Sequence, residues 1–223
     1  METAIYGLMA GGAVLVLALS VYAFRELAAI SRPTAGPAID SEERPNRALL
    51  LIDLQGDFSR RTGKGAYGET VRAAAVARAN TLAAEARRLG EPVIVVRHVW
   101  HGWPARLAAR LALGGAGNPG RKGLALDPDL HPGEAIDIVK HVGDSFSVPD
   151  LSAHLERLKV GSLRLAGLDA CHCVQLTARG AAARGYKVEI VDDAVLASVP
   201  ADWQVLKPKL IAEGIRITPA PVA

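Results

Sequence analysis

Residues 163–194, LRLAGLDACHCVQLTARGAAARGYKVEIVDDA, constrain the fold more than any other stretch, because they read as strand, sharp turn, helix, turn, strand. Leu163, Leu165, Ala166 and Leu168 form a short apolar run that stops at turn residues, as a buried parallel strand does. From Cys173 to Arg184 there is no proline, and Ala178, Ala181, Ala182 and Ala183 let a helix lie close to a sheet, with Gly185 as its stop. Cys173 sits where the turn becomes the helix. A thiol in a first helical turn meets unpaired N–H groups and the positive end of the helix dipole, which favour the thiolate. The same N–H groups can receive an oxyanion. A cysteine there reads either as a buried structural thiol or as a nucleophile.

The rest of the chain repeats the alternation. Strands are expected at residues 47–52, 92–96, 135–140, 187–192 and 215–218, and helices at 69–89, 147–159 and 201–213. Together they predict a three-layer α/β/α domain with a mainly parallel sheet of about six strands and right-handed crossovers. The first strand ends in Asp53-Leu54-Gln55-Gly56-Asp57-Phe58, and carboxylates just past a buried strand are where open α/β sheets keep their chemistry. The third strand ends in Lys140, which at a pocket mouth would stabilise a thiolate. His98 and His101, three apart, suggest a metal pair, but no carboxylate lies nearby, so no metal is expected and Trp100 or His101 reads as pocket wall. Asp192 and Asp193 are expected to bound the pocket. Gly63-Lys64-Gly65 lacks the Ser/Thr of a phosphate loop. Residues 103–129, above all the glycine-rich 114–123, read as a lid or a plain surface loop.

Upstream, residues 3–24 carry no charge. As a helix they would rise about 33 Å, close to a bilayer core of roughly 30 Å. The expected organisation is one amino-terminal transmembrane helix in residues 1–30, a Pro- and Gly-rich linker in 31–46 and the α/β domain in 47–223. Arg25 and Arg32 follow the span, which puts the domain on the cytoplasmic side by the positive-inside rule. Gly7 and Gly11 make a G-x-x-x-G that could pair helices, and Tyr6 and Tyr22 suit the interfacial belts. The formal charge is only +3 and aromatic residues are few, so no nucleic-acid partner is expected. Two cysteines this close cannot staple distant loops, which favours a reducing compartment. Cys171-His172-Cys173 also departs from the usual C-x-x-C redox spacing, so Cys171 reads as packing.

Asp53, Lys140 and Cys173 at three strand ends, in that order, resemble the isochorismatase-like cysteine hydrolases, among them nicotinamidases, N-carbamoylsarcosine amidases and ureidoacrylate-type amidohydrolases. LLLIDLQGDF, DIVKHVGDSF and AGLDACHCVQLTARGAAARGYKVEIVDDA carry the resemblance, which covers residues 47–199. It implies a cysteine-dependent hydrolase that cleaves a C–N bond of a small amide or ureido compound through a covalent acyl-enzyme, without a cofactor. Cys173 would be the nucleophile, being the cysteine followed by Val174 and Thr177-Ala178. Asp53 would carry the proton, Lys140 would support the thiolate, and the backbone N–H groups around Ala170 and Cys173 would hold the oxyanion. Phe58 and Trp100 are candidate walls for a small planar substrate. The family also implies a cis peptide at Leu168-Asp169, and its members commonly self-associate, so a homo-oligomer is possible. Val99 stands where metal-binding nicotinamidases have an aspartate, and Ala170-Cys171 where many relatives have Thr-Asp. Two rival readings are a vinyl-ether hydrolase of the isochorismatase type, which lacks this cysteine, and a membrane-tethered, inactive binding or scaffold protein.

Overall fold

A computed structural model describes residues 17–63 and 65–219. Six parallel strands form one sheet: β1 (Asn46–Ile52), β2 (Val93–His98), β3 (Ile136–Lys140), β4 (Val160–Leu168), β5 (Lys187–Leu196) and β6 (Arg216–Thr218). Their order is β3-β2-β1-β4-β5-β6. The chain builds outward from β1 in one direction and then crosses back to β4, so the topological reversal lies between β1 and β4. In open α/β sheets a crevice forms there, beyond the carboxyl ends of the strands.

Both faces of the sheet are covered, which is why its strands are almost wholly apolar. Strand parity divides the core into two layers. Leu49, Leu51, Val93 and Val95 pack under α3 (Glu69–Arg88) through Ala75, Val76, Ala79, Leu82, Ala83 and Ala86. Leu50, Ile52, Ile94 and Val96 face the other layer. There they meet Leu151 and Leu155 of α5 (Pro149–Arg157), Ala178 and Ala181 of α6 (Gln175–Ala182), and Trp203 and Leu210 of α7 (Pro200–Ala212). The small residues of α3 and α6 allow this close approach. The three-layer expectation therefore matches the described residues.

Two elements differ from the sequence reading. Residues 103–129 contain a helix, α4 (Trp103–Leu113), started by Pro104 in its first turn and ended by Gly114 in the left-handed region. β5 runs on to Leu196, so Asp192 and Asp193 lie inside a strand rather than beyond it.

Residues 17–30 are helical, and α1 is used for them here. Most of the expected membrane span, residues 3–16 with Tyr6 and the G-x-x-x-G, lies outside the described residues. Among the described residues no helix is long and apolar enough to cross a membrane. The segment after α1 runs along the domain surface and is tied to it. The Gly143 N–H donates to the Ile30 carbonyl at 3.0 Å. The N–H and hydroxyl of Thr34 both donate to Asp144 Oδ2, at 2.7 and 2.6 Å. Arg184 donates to the carbonyls of Thr34 and Ala35.

Candidate active site

The sequence D-L-Q-G-D-F after β1 divides its work residue by residue. Asp53 leaves the strand with φ 56°, in the left-handed region that Asp tolerates better than most residues, and this turns its carboxylate inward. Gln55 is fully buried and reaches across to the end of β2, where its Oε1 accepts the His98 N–H at 2.6 Å and its Nε2 donates to the His98 carbonyl at 3.2 Å. Asp57 accepts the Gly117 N–H at 2.9 Å and Arg121 Nε at 2.6 Å, which ties the 114–121 loop down. Phe58, in the short helix α2 (Gly56–Ser59), faces the pocket. That loop in turn holds Trp100, whose Nε1 donates to the Ala116 carbonyl and whose N–H donates to the Gly117 carbonyl. Gly117, at φ 80°, has no room for a side chain, since a Cβ would strike Phe58 and Trp100. The glycine-rich stretch thus forms the backing of the Phe58–Trp100 wall.

Lys140 is the last residue of β3 and is fully buried. Its Nζ lies 2.9 Å from Asp53 Oδ2 and donates to the carbonyls of Gly143 (2.9 Å) and Val142 (3.3 Å). β4 ends in a cis Leu168-Asp169 peptide, the position the resemblance implied. A π-type turn, Ala170–Val174, follows and runs into α6, so Cys173 stands one residue before the turn ends. Asp169 organises that turn: its Oδ1 accepts the Cys171 N–H and its carbonyl accepts the N–H groups of His172 and Val174. Its Oδ2 accepts the Ser198 N–H and the Tyr67 hydroxyl. Gly167, at φ 124°, lies against β1 where a Cβ would overlap the Ile52 carbonyl, and this lets β4 and β1 approach beside the crevice.

The fold therefore brings Asp53, Lys140 and Cys173 together at the β1/β4 reversal. A cavity of about 310 Å³ opens onto Asp53 and Cys173, lined by Phe58, Trp100, His98, Leu168 and Leu176, and by Ile30 and Ser31 from the upstream segment, with Lys140 buried behind Asp53. The electrostatics weigh against a standing thiolate. The Cys173 thiol is pushed up to about 12, by burial first and by the Asp53 charge beside it, and Lys140 offsets only part of this. The resting form is the thiol, because in this dry site desolvation outweighs the helix end and the lysine. Burial likewise raises Asp53 despite Lys140. Burial would lower Lys140, but Asp53 and Cys173 outweigh it, so the ammonium is held in its charged form.

The histidines part company. His101 is exposed and stacks near His141, with ring centroids 5.2 Å apart, so it is not pocket wall. His98 is 2 % exposed and faces the cavity, 4.0 Å between centroids from Trp100 and edge-on to Phe58. Asp53, His98 and Cys173 each offer a donor atom within 4.8 Å of one another. Such a set could hold a soft divalent ion through Asp53 Oδ1, but the Lys140 ammonium, 2.9 Å from Oδ2, opposes a second cation. Asp192 and Asp193 do not reach the pocket. Asp192 accepts from Trp203 and Lys207 on α7, and Asp193 pairs with Arg78 on α3, so the two pin helices to opposite faces of the sheet. Cys171 is half-buried against the core, as read.

Sequence reasoning missed the roles of Gln55 and Asp57, and read His98 only as one half of a metal pair with His101. For His98 a signal existed: β2 places Ile94, Val96 and residue 98 on one sheet face, and at a strand's carboxyl end that face borders the crevice.

The comparisons with known proteins agree with this architecture. Residues 47–218 match the family model described as the isochorismatase domain. An uncharacterised isochorismatase family protein of Bacillus subtilis, YddQ, is 32% identical over 148 residues, 66% of this chain and 76% of the relative. Among solved structures, the pyrazinamidase/nicotinamidase of Streptococcus mutans superposes with a TM-score of 0.67 at 22% identity, covering 78% of this chain and 100% of that one. The N-carbamoylsarcosine amidase of Thermoplasma acidophilum gives 0.65 at 24%, covering 80% and 98%. At these identities the two structures speak for the fold. The family model and the curated relative go further, and on them this chain belongs to the isochorismatase family of hydrolase-fold proteins.

Proposed function

We propose that the protein is a cysteine hydrolase that cleaves the C–N bond of a small amide or ureido compound through a thioester intermediate. The observation that carries the reading is a cysteine sulfur within 4.8 Å of a buried carboxylate, which is itself paired at 2.9 Å to a buried lysine. In this reading Asp53 Oδ1, which has no N–H or O–H partner, takes the Cys173 proton as sulfur attacks the substrate carbonyl carbon. The high thiol pKa suits transfer in concert with attack, with no standing thiolate. Lys140 keeps the carboxylate in place and compensates the charge that moves onto it.

The carbonyl oxygen becomes an oxyanion. The N–H groups of Cys171, His172 and Val174 are already committed to Asp169, so the role falls to those of Ala170 and Cys173. Collapse breaks the C–N bond, and the leaving nitrogen takes the proton back from Asp53. Water then attacks the thioester, gives a proton to Asp53, and releases the acid as the proton returns to sulfur. The fold neighbours named nicotinamidase and N-carbamoylsarcosine amidase support C–N cleavage as the reaction class. Phe58 and Trp100 form the walls against which a compact acyl group would lie.

The test is ammonia release from a panel of small amides, carbamoyl and ureido compounds, with and without Cys173→Ala. Turnover of a panel member by the parent and none by the variant is the expected result. Equal turnover by both rejects the covalent scheme. The anchor reading of residues 3–24 rests on their charge-free run alone, and recovery of the full chain in the aqueous fraction of lysed cells would remove it.

A further inference from the structure

His98 is held by everything except its own imidazole. Its main-chain N–H and carbonyl are both clamped by Gln55, and its ring is set by packing on Trp100 and Phe58. Yet Nδ1 and Nε2 are both buried with no hydrogen-bond partner. Leaving buried polar groups unsatisfied costs free energy, so a ring placed this deliberately calls for a compensating ligand. That ligand must lie in the cavity the ring faces, beside Cys173 and Asp53.

We propose that His98 is a substrate-reading residue, and that it selects compounds whose polar group next to the reacting carbon is uncharged over those that carry a carboxylate there. This rests on the Cys173 reading above. A neutral imidazole offers one donor and one acceptor, the complement of an uncharged amide or ureido group. Burial, with the nearby Lys140 and His141 charges, drives the His98 pKa well below its ordinary value, so the ring brings no positive charge to the pocket floor. The other charges around the cavity are of both signs, and none is the imidazole's own. Lys140 is paired with Asp53, Arg61 donates to the Gly65 carbonyl, and Asp169 is a carboxylate facing the same space. A substrate carboxylate beside Cys173 would lose its water next to the Asp53 carboxylate and gain no cation from the neutral imidazole.

Two alkylating agents of nearly equal size test this without knowledge of the natural substrate. Iodoacetamide presents an uncharged amide beside the reacting carbon, and iodoacetate presents a carboxylate. The rate of Cys173 alkylation by each is followed by intact mass and peptide mapping from neutral to strongly alkaline pH, with both reagents at matched pH so that the ionised fraction cancels in the ratio, and the ratio is compared with that of glutathione. The parent is expected to favour iodoacetamide by at least about tenfold more than glutathione does, the discrimination one or two buried hydrogen bonds supply. His98→Phe keeps the ring packing and removes both nitrogens, and its ratio is expected to fall to that of glutathione. His98→Asn, which restores a donor and an acceptor, is expected to regain part of the preference.

A parent ratio equal to that of glutathione overturns the proposal and leaves a labelled, nucleophilic Cys173 standing. Full selectivity in a folded His98→Phe also overturns it, because the discrimination then arises elsewhere. The parent ratio needs no variant, so a His98→Phe that fails to fold does not shield the idea. A Cys173 that reacts with neither reagent overturns both this proposal and the hydrolase reading beneath it.

Discussion

Replacing Lys140 by Met should be among the most destabilising single changes in this chain, and adding Asp53→Asn should repair much of the damage. The two side chains are 0% and 4% exposed and 2.9 Å apart. At an effective dielectric of 20 their gross attraction is about 6 kcal/mol. Most of that is offset by the cost of taking both charges out of water, so the pair itself adds little net stability. Removing one partner is different, because it strands the other, and such changes cost about 3–5 kcal/mol. Methionine nearly matches lysine in volume, so a cavity contributes little. Urea unfolding of Lys140→Met followed by circular dichroism should show that loss, and the double variant should recover at least about 2 kcal/mol of it, because no buried charge is then left alone.

The penalty should also depend on pH. Without Lys140, the folded-state pKa of Asp53 rises still further above its ordinary 3.8. A carboxyl whose folded pKa is raised binds more protons in the native state, so stability falls as pH rises through that value and returns on acidification. A loss under about 1 kcal/mol for the single variant, or a double variant no more stable than Lys140→Met, would refute the picture of a dry ion pair.

Three further outcomes are expected. Asp53→Asn should lower the pH midpoint for alkylation of Cys173 below that of the parent, because it removes a charge that raises the thiol and leaves Lys140 unopposed; pH–rate profiles of both proteins with iodoacetamide check this. Gly167→Ala should cost more than about 3 kcal/mol or abolish soluble expression, since φ 124° and the Ile52 carbonyl leave no place for a Cβ; denaturant midpoints decide it. Gln55→Leu should cost about 2–4 kcal/mol, because it orphans the buried N–H and carbonyl of His98; it should also weaken the iodoacetamide preference, and a variant with both properties unchanged would deny Gln55 its clamping role.

The proposed trio was legible because Asp53, Lys140 and Cys173 each lie at or shortly past the end of an apolar strand, a local feature of sequence, and because together they resemble one family's motifs. Ile52 before Asp53, Val139 before Lys140 and the run up to Leu168 mark those ends without knowledge of the sheet order. The roles of Gln55 and Asp57 were not legible, because each acts across 43 or 60 residues on a partner that only the β1–β2 pairing and the loop after α4 bring close. Helix α4 was hidden by its setting: Gly102, Pro104 and the glycines from 114 onward read as loop chemistry, whereas two of them bound the helix. The influence opposing a thiolate was hidden for another reason. A helix end can be read from sequence, but the competing desolvation depends on how completely Leu168, Leu176 and the sheet enclose the sulfur, and that is a property of the assembled pocket.

Gly143 joins two parts of the molecule that the sequence keeps far apart. Its carbonyl accepts the Lys140 ammonium, and its N–H donates to Ile30, whose side of the cavity is completed by Ser31. Residue 47 is thus where the shared family sequence begins, but it is not where the substrate chamber begins. A protein with the same Asp53, Lys140 and Cys173 but another segment ahead of its first strand would present a different wall to the cavity where Ile30 and Ser31 stand here. Function transferred between such proteins on the strength of the matched region alone omits part of the doorway.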